Sequence, residues 1–191
     1  ALTKHFDRTN GGFGAAPKFP TTGNIEVCLL ELLGRHPDDA IGKALTVVVG
    51  TTLDAMASGG LYDHIGGGFA RYCVDERWLV PHFEKMLYDQ ALLIRLYARA
   101  ASALAARFDT SRWRMIVGET IEYLETTMRL PGGAFAAAED ADSPGPDGAN
   151  HEGLFTTWTP DEVAAVLGAD AAALCEWYDI TAEGNFEGRS I

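Results

Sequence analysis

The chain has 191 residues, of which 47% are hydrophobic, and a formal net charge of −12 at pH 7. This charge argues against nucleic acid as a partner, because a phosphate backbone attracts basic surfaces and repels acidic ones. The length is enough for a substantial core, and we recognise neither an apolar run long enough to span a bilayer nor a signal peptide. We treat the chain as a piece of a longer protein.

The three cysteines, Cys28, Cys73 and Cys175, are far apart and form no Cys-x-x-Cys motif. Neither a disulfide framework nor a zinc site is predicted from this spacing. Reduced thiols are typical of a cytoplasmic location, which we therefore expect. Cys28 lies on an apolar helical face and is expected in the core.

The first half of the chain is predicted to hold a shaped loop and two helices. Residues 11–20 contain three glycines and two prolines, which excludes a regular helix or a central strand. Helical spacing predicts a helix over 22–33, ended by Gly34. A second helix is predicted from an N-cap at Asp38 to Gly59.

The second half is predicted to be mainly helical. A third helix is expected to begin at Pro81, which the first helical turn tolerates, and to continue to Phe108. A fourth is expected to begin at Ser111 and to end before Pro131. The remaining predicted elements are a polar loop over 134–150, a strand over 154–158, a helix from a capping box at Thr159 to Gly168 and a helix over 170–178.

A weak internal repeat recurs between the predicted helix pairs. Gly-Gly-Phe occurs at 11–13 and 67–69, and Gly-Gly-Ala-Phe at 132–135. Helix pairs joined by glycine-aromatic loops indicate an all-α toroid with its loops around a common mouth. Ligand sites form at such mouths.

The polar residues of the stretch 59–89 are the first candidates for chemistry. If a helix begins at Pro81, His82 and Asp89 are about two turns apart and share one face. Glu84 and Tyr88 form an i,i+4 pair beside them. Histidines and carboxylates in different environments can divide acid and base roles. A hydrogen-bonded network that only fixes loops on helices is the alternative.

The acidic run Glu139, Asp140 and Asp142 is the second candidate. A calcium loop is excluded, because Pro144 and His151 stand where ligands are required. Two interpretations remain: catalytic carboxylates that flank a glycosidic bond, or an acidic loop exposed to solvent. Dinucleotide and phosphate-loop fingerprints are missing from the sequence, so no cofactor is predicted, and no metal either.

Aromatic residues near the glycine loops could stack on sugar rings or act as packing anchors. The candidates are thus two sets. The catalytic set is His64, His82, Glu84, Asp89, Glu139, Asp140 and Asp142, and the substrate-binding set is Tyr62, Asp63, Phe69, Arg71, Trp78 and Tyr88.

Five motifs carry a family resemblance over nearly the whole chain. They are Gly-Gly-Phe-Gly-x-x-Pro-Lys-Phe-Pro at 11–20, Gly-Gly-Leu-Tyr-Asp-His-Ile-Gly-Gly-Gly-Phe-x-Arg-Tyr at 59–72, Trp-x-Val-Pro-His-Phe-Glu-Lys-Met-Leu-Tyr-Asp at 78–89, Ala-Glu-Asp-Ala-Asp-Ser at 138–143 and Gly-Asn-Phe-Glu-Gly at 184–188. This pattern resembles the thioredoxin-domain-containing family that includes the YyaL-like and spermatogenesis-associated proteins.

The resemblance implies an upstream thioredoxin-like domain, absent from this chain, followed by a helical toroid similar to six-hairpin glycosidases and N-acylglucosamine 2-epimerases. Residues 1–191 would be the N-terminal portion of an (α/α)6 toroid with short β hairpins in its loops. Helices missing from the toroid would leave apolar faces exposed, which predicts self-association or marginal stability.

The implied function is a sugar-directed enzyme whose partner is a small carbohydrate. It would be a hydrolase with an acid pair or an epimerase that uses His64 and His82 as base and acid. The alternative is a non-catalytic module that binds glycans or proteins and serves the thioredoxin-like domain.

Overall fold

The computed structural model describes residues 2–36 and 39–191. Within it the chain divides into two compact units, Ala1–Glu139 and Asp140–Ile191. Each unit has its own hydrophobic cluster, a large one in the first and a small one in the second.

Four helices build the first unit. They are α1 (Thr22–Leu33), α2 (Ala40–Ser58), α3 (Leu87–Ala103) and α4 (Ser111–Tyr123), with a 3-10 turn at Leu2–Lys4 before them and a π-helical turn at Leu124–Met128 after them. α1 packs against α2 and α3, while α4 packs against α3 and α2. The helices therefore form a continuous layered core, in which Ile25, Leu53, Leu93 and Trp113 are fully enclosed.

The ends of the first two helices agree with the predictions. α1 spans the predicted residues and is capped by Gly34, and α2 is capped at its C-terminus by Gly59. The predicted N-cap, Asp38, lies outside the described residues. Asp39 is the residue at the N-cap position of α2, where its carboxylate accepts a hydrogen bond from the Ile41 amide.

α2 differs from the sequence-based expectation in one respect. It is 19 residues long, and by length and composition alone it could cross a membrane. Half of its most apolar stretch is buried inside the protein, and α2 packs against α1. A buried core helix meets the same criteria of length and hydropathy.

The prediction of a helix from Pro81 is wrong. Residues 81–86 are extended and form two short strands, β2 (Pro81–His82) and β3 (Lys85–Met86), before α3 begins at Leu87. β2 pairs with β1 (Tyr72–Cys73), and β3 pairs with β4 (Ala138–Glu139), both antiparallel.

Burial along 81–86 explains the error. Pro81, Phe83 and Lys85 are buried, whereas His82, Glu84 and Met86 are only partly buried. This alternation is the period of a half-buried strand. Phe83 fits both this period and the helical spacing of α3, so the apolar pattern alone could not distinguish a strand from the first turn of a helix.

The second unit contains a hairpin and two short helices. Strands β5 (Asp142–Pro144) and β6 (Asn150–Glu152) pair in antiparallel fashion. They are followed by α5 (Pro160–Leu167), a 3-10 turn (Gly168–Asp170) and α6 (Ala171–Tyr178). Val163, Ala171 and Ile180 form its small core.

One prediction in this unit is confirmed and one is wrong. The Thr159–Glu162 capping box forms with both of its hydrogen bonds. The predicted strand over 154–158 is a turn, because the Thr156 amide and the Thr157 hydroxyl both bond back to the Gly153 carbonyl. Trp158 makes a single bridge to Ser190.

Candidate functional site

The glycine loop after α2 is a tight hairpin pressed against α4. The Asp63 amide bonds to the Gly68 carbonyl, and the Gly67 amide bonds back to the Asp63 carbonyl. Gly67 and Gly68 have φ of 75° and 79°. A Cβ on Gly68 would lie 2.7 Å from the Tyr123 ring, so only glycine fits there.

Gln90 of α3 fixes the other end of this loop. Its side chain is fully buried; its Oε1 accepts from the Phe69 amide at 2.8 Å, and its Nε2 donates to the Phe69 carbonyl at 2.6 Å. These are the two bonds that a neighbouring strand would make. The loop is therefore held rigidly between α3 and α4.

Lys85 is the centre of a buried polar cluster, which we call the Lys85 cluster. Its Nζ donates to Asp63 Oδ2 and to the Gly67 carbonyl, both at 2.9 Å, and lies 4.5 Å from the centre of the Tyr123 ring. The Tyr123 hydroxyl donates to Glu139 Oε2 at 2.5 Å. Burial alone would raise the pKa of Asp63, but the Lys85 charge and nearby backbone amides hold it below its ordinary value.

A polar pocket of about 290 Å³ opens beside this cluster. The Tyr62 hydroxyl donates a short hydrogen bond to the Glu119 carboxylate, and burial together with that carboxylate raises the pKa of Tyr62. His64 Nε2 lies 3.1 Å from the Gly59 carbonyl, and its ring is edge-on to Tyr62. The lining residues are His64, Ile65, Gly66, Gly67, Glu119, Glu122, Tyr123 and Thr126.

A second group, the Asp89 cluster, combines Arg71, Glu84, Tyr88 and Asp89. Arg71 donates to Glu84 Oε2 at 3.0 Å, and its amide bonds to the Glu84 carbonyl at 2.9 Å. The Glu84 carboxylate and the Tyr88 phenol raise the pKa of the Arg71 guanidinium. One carboxylate of the cluster, Glu84, is thus neutralised by a cation.

The other carboxylate, Asp89, is in an unusual state. Burial raises its pKa to about 6, the Glu84 charge adds to this, and Arg71 opposes it. Asp89 Oδ2 is buried, and within the part of the chain that the structure describes it has no hydrogen-bond partner. Such an unsatisfied buried oxygen destabilises the fold, and it is the kind of group that occurs at functional sites.

Three rings form a stack next to this cluster, which we call the Tyr72 stack. The Tyr72 ring lies 4.6 Å from the Phe19 ring at 28° and 5.0 Å from the His82 ring at 30°. Tyr72 and His82 are cross-strand partners. His82 shares with Glu84 the side of the extended segment that faces away from the core.

The predicted site residues therefore fall into separate groups. Arg71, Glu84, Tyr88 and Asp89 come together, and His64 lines the pocket, while Tyr62 bonds to the pocket residue Glu119. Asp63 and Glu139 are in the Lys85 cluster, and His82 is in the Tyr72 stack. His82 and Asp89 do not share a helical face, since only Asp89 is in a helix. Glu84 and Tyr88 are likewise not an i,i+4 pair on one helix; both instead interact with Arg71.

Two of the predicted substrate-binding rings are enclosed in the core. Phe69 is fully buried and stacked on Tyr97. Trp78 is 1% exposed, its Nε1 donates to the Asn10 carbonyl, and Lys18 lies over its ring. The structure thus gives both rings a packing role, and a ligand has no access to them.

Asp140 and Asp142 belong to the second unit. Both are exposed, and the Asp142 amide donates to Asp140 Oδ1 at 3.1 Å. Within the described ranges, no group of three or more His, Cys, Asp or Glu side chains could hold a metal ion.

Several residues of the clusters were not predicted as site residues. Glu119 and Tyr123 are four residues apart on α4, a spacing that places them on one face and could have been recognised. Lys85 and Tyr72 lie inside the quoted motifs, but only the strand pairing gives them their positions.

The fold is a helical one with a few short strand pairs. It is similar to that of a sugar epimerase from a ruminal bacterium, with a TM-score of 0.54, 16% sequence identity and coverage of 73% of this chain and 36% of that one. At this identity the likeness shows the fold alone, and it is consistent with a helical toroid.

Comparison of sequences identifies relatives with higher identity than this structural neighbour. The chain is 36% identical to human Spermatogenesis-associated protein 20 over 195 aligned positions, 37% identical to the mouse protein over 167, and 36% identical to an uncharacterized protein of Caenorhabditis elegans over 180. These alignments cover 87–96% of this chain but only 20–24% of each relative. They fit the family that the motifs indicated, although no protein-family model matches the chain.

Proposed function

We propose that the first unit carries an acid/base site for a carbohydrate and that Asp89 is the group that moves the proton. The observation that carries this proposal is the half-buried Asp89 carboxylate, with one unpartnered oxygen and a pKa of about 6. A group with a pKa near the working pH is an efficient general acid or base. The likeness to the fold of a sugar epimerase supports a carbohydrate as substrate.

Epimerisation fits the Asp89 cluster better than hydrolysis. Hydrolysis requires two carboxyl groups in complementary roles, but Glu84 is paired with Arg71. Epimerisation next to a carbonyl needs one base, which Asp89 supplies by accepting the proton from carbon. The electron pair moves to the carbonyl oxygen, and the Arg71 guanidinium is the cation at hand to stabilise that oxygen. A proton returned to the opposite face completes the inversion, and His82 is our candidate donor.

Deuterium exchange tests this directly. The protein is incubated in D₂O with D-glucose, D-mannose, N-acetyl-D-glucosamine and cellobiose, and proton NMR follows the C–H next to the carbonyl. We expect exchange with one of the monosaccharides. Its rate should increase with pH through an apparent pKa near 6. Asp89→Asn should slow it by about 10²–10⁴-fold, the usual contribution of a general base.

Glu76→Gln is the matched control, because Glu76 is exposed, and among the described residues its contact is made by its backbone carbonyl, which accepts a hydrogen bond from Lys18. This variant should exchange at the wild-type rate. Exchange that survives Asp89→Asn would refute the role of Asp89. Cleavage of cellobiose without exchange would favour a hydrolase. Binding of a sugar without either reaction would favour the non-catalytic module.

We also propose that the chain is part of a longer protein, which contains a complete (α/α)6 toroid and an upstream thioredoxin-like domain. The curated relatives are about four times as long as this chain, which leaves room for both. We also propose a cytoplasmic location, since the three cysteines are free thiols.

A further inference from the structure

The loop over 11–20 has no part in the proposed proton transfer, yet it is anchored unusually firmly. Lys18 is 0% exposed, and its Nζ donates to Asp7 Oδ2 at 2.6 Å and to the Glu76 carbonyl at 2.9 Å. Its backbone exchanges two hydrogen bonds with Cys73, at 2.7 and 2.9 Å. The next residue in the chain, Phe19, is thereby held beside β1.

Phe19 is an exposed aromatic residue, as is Phe135 of the third glycine loop, whereas the phenylalanines of the two Gly-Gly-Phe motifs are buried. Phe13 in the same loop is 6% exposed and Phe69 in the next glycine loop is 0% exposed, whereas Phe19 is 42% exposed although it stacks on Tyr72. A large apolar ring left open to solvent on a rigid support is preorganised for a flat apolar ligand surface.

The Tyr72 stack and the Asp89 cluster are joined through neighbouring residues. Tyr72 directly follows Arg71, and its cross-strand partner His82 shares a face with Glu84, which is paired with Arg71. The platform formed by Phe19 and Tyr72 is therefore built on the strand pair that Arg71 and Glu84 adjoin.

We propose that Phe19, supported by Tyr72, is the stacking platform that receives the sugar as a closed pyranose with a flat C–H face, before the ring opens to the carbonyl form on which Asp89 acts. This inference rests on the proposed function. A gluco-configured pyranose has equatorial hydroxyls, so one face of its ring is apolar and can lie on an aromatic ring. An open-chain alditol has the same hydroxyls but no rigid face. Phe19 is therefore a specificity-determining residue and not a catalytic one.

The test compares two ligands and two variants of the full chain by NMR titration. Methyl β-D-glucopyranoside should bind, with ring-current shifts of its H1, H3 and H5 protons, and D-glucitol should bind at least tenfold more weakly. Phe19→Leu keeps an apolar side chain but no aromatic ring; it should remove these shifts and weaken binding about 2–12-fold, the range given by an aromatic contact. Phe19→Trp should retain both.

The outcomes separate the two proposals. Unchanged shifts and affinity in Phe19→Leu, with exchange still dependent on Asp89, would overturn the platform and leave the proposed function standing. Equal binding of glucitol and glucoside would also overturn it. If neither ligand binds and no sugar exchanges, both proposals fall. Because Phe19→Leu also removes the stacking contact with Tyr72, its urea midpoint should decrease slightly, but the variant should be fully folded without urea. Lost binding would then not be caused by lost folding.

Discussion

Replacing Asp89 by Asn should make the protein more stable at neutral pH while it slows the proposed proton exchange about 10²–10⁴-fold. The carboxylate is ionised in the unfolded chain above its ordinary pKa of 3.8, but in the folded protein its pKa is about 6. Between these values the folded state binds more protons than the unfolded state, so this group makes stability decrease as pH increases. Below pH 3.8 it contributes nothing, and above pH 6 its full destabilising effect is present.

The magnitude follows from the two pKa values. Their difference corresponds to about 3 kcal/mol at about 1.4 kcal/mol per pH unit. Asp89 is only half-buried, so solvent screening reduces the effect to about 1–2 kcal/mol. Asn has a similar shape and no charge, and it should regain this amount at pH 8 and little at pH 4.

Urea unfolding at pH 4, 5, 6, 7 and 8 measures the difference between Asp89→Asn and the wild type. The difference in unfolding free energy should increase from near zero to about 1–2 kcal/mol, with its midpoint between the two pKa values. Glu76→Gln, which removes one exposed carboxylate, should give a difference that hardly varies with pH. A difference for Asp89→Asn that is constant with pH, or that becomes destabilising at pH 8, would refute the reasoning.

Three further predictions concern other parts of the first unit. Gly68→Ala should destabilise the folded protein by about 2–4 kcal/mol, because φ is 79° and the new methyl group would lie 2.7 Å from the Tyr123 ring on α4. Gly132→Ala is the control and should not destabilise it, because a Cβ at Gly132 would have no atom within 4 Å. Equal urea midpoints for the two variants would contradict this prediction. Lys85→Met should lower the free energy of unfolding by about 3–5 kcal/mol, because it leaves the Asp63 carboxylate without its cation. The loss should be smaller in a double variant in which Asp63 is also replaced by Asn. Burial raises the pKa of the Cys73 thiol to about 12, so Cys73 should react with Ellman's reagent at least roughly tenfold more slowly than the half-buried Cys175, and equal rates in native protein would exclude this account.

The helices whose ends carry strong local signals could be predicted from the sequence. α1, with Gly34 after it, and α5, with its capping box, were predicted to within a residue or two. The segment 81–86 could not, because its conformation depends on one strand that lies eight to ten residues before its partner and on another that lies some fifty residues after it. Pairing of this kind leaves no periodic signal beyond a few residues.

The candidate site was predictable in composition but not in geometry. The sequence identified Arg71, Glu84, Tyr88 and Asp89, and the structure brings these four together. The sequence did not identify Phe19, because nothing in it indicates that the preceding residue, Lys18, is buried and holds Phe19 in place. The sequence also predicted Trp78 as a ligand-binding ring, which is wrong because Trp78 is buried. Burial of a ring beside a turn is decided by tertiary packing, which the sequence pattern does not show.

The alternation of buried and partly buried side chains along 81–86 restricts how this protein can change in length. Deleting one residue there would turn Glu84 and His82 toward the core and bring Phe83 and Lys85 to the surface, because neighbouring positions of a strand face opposite ways. Deleting two residues would return each remaining side chain to its original side of the strand, but it would shorten the connection to α3. Insertions and deletions between β1 and α3 should therefore be tolerated in the bends at 74–79, and within 81–86 only as pairs.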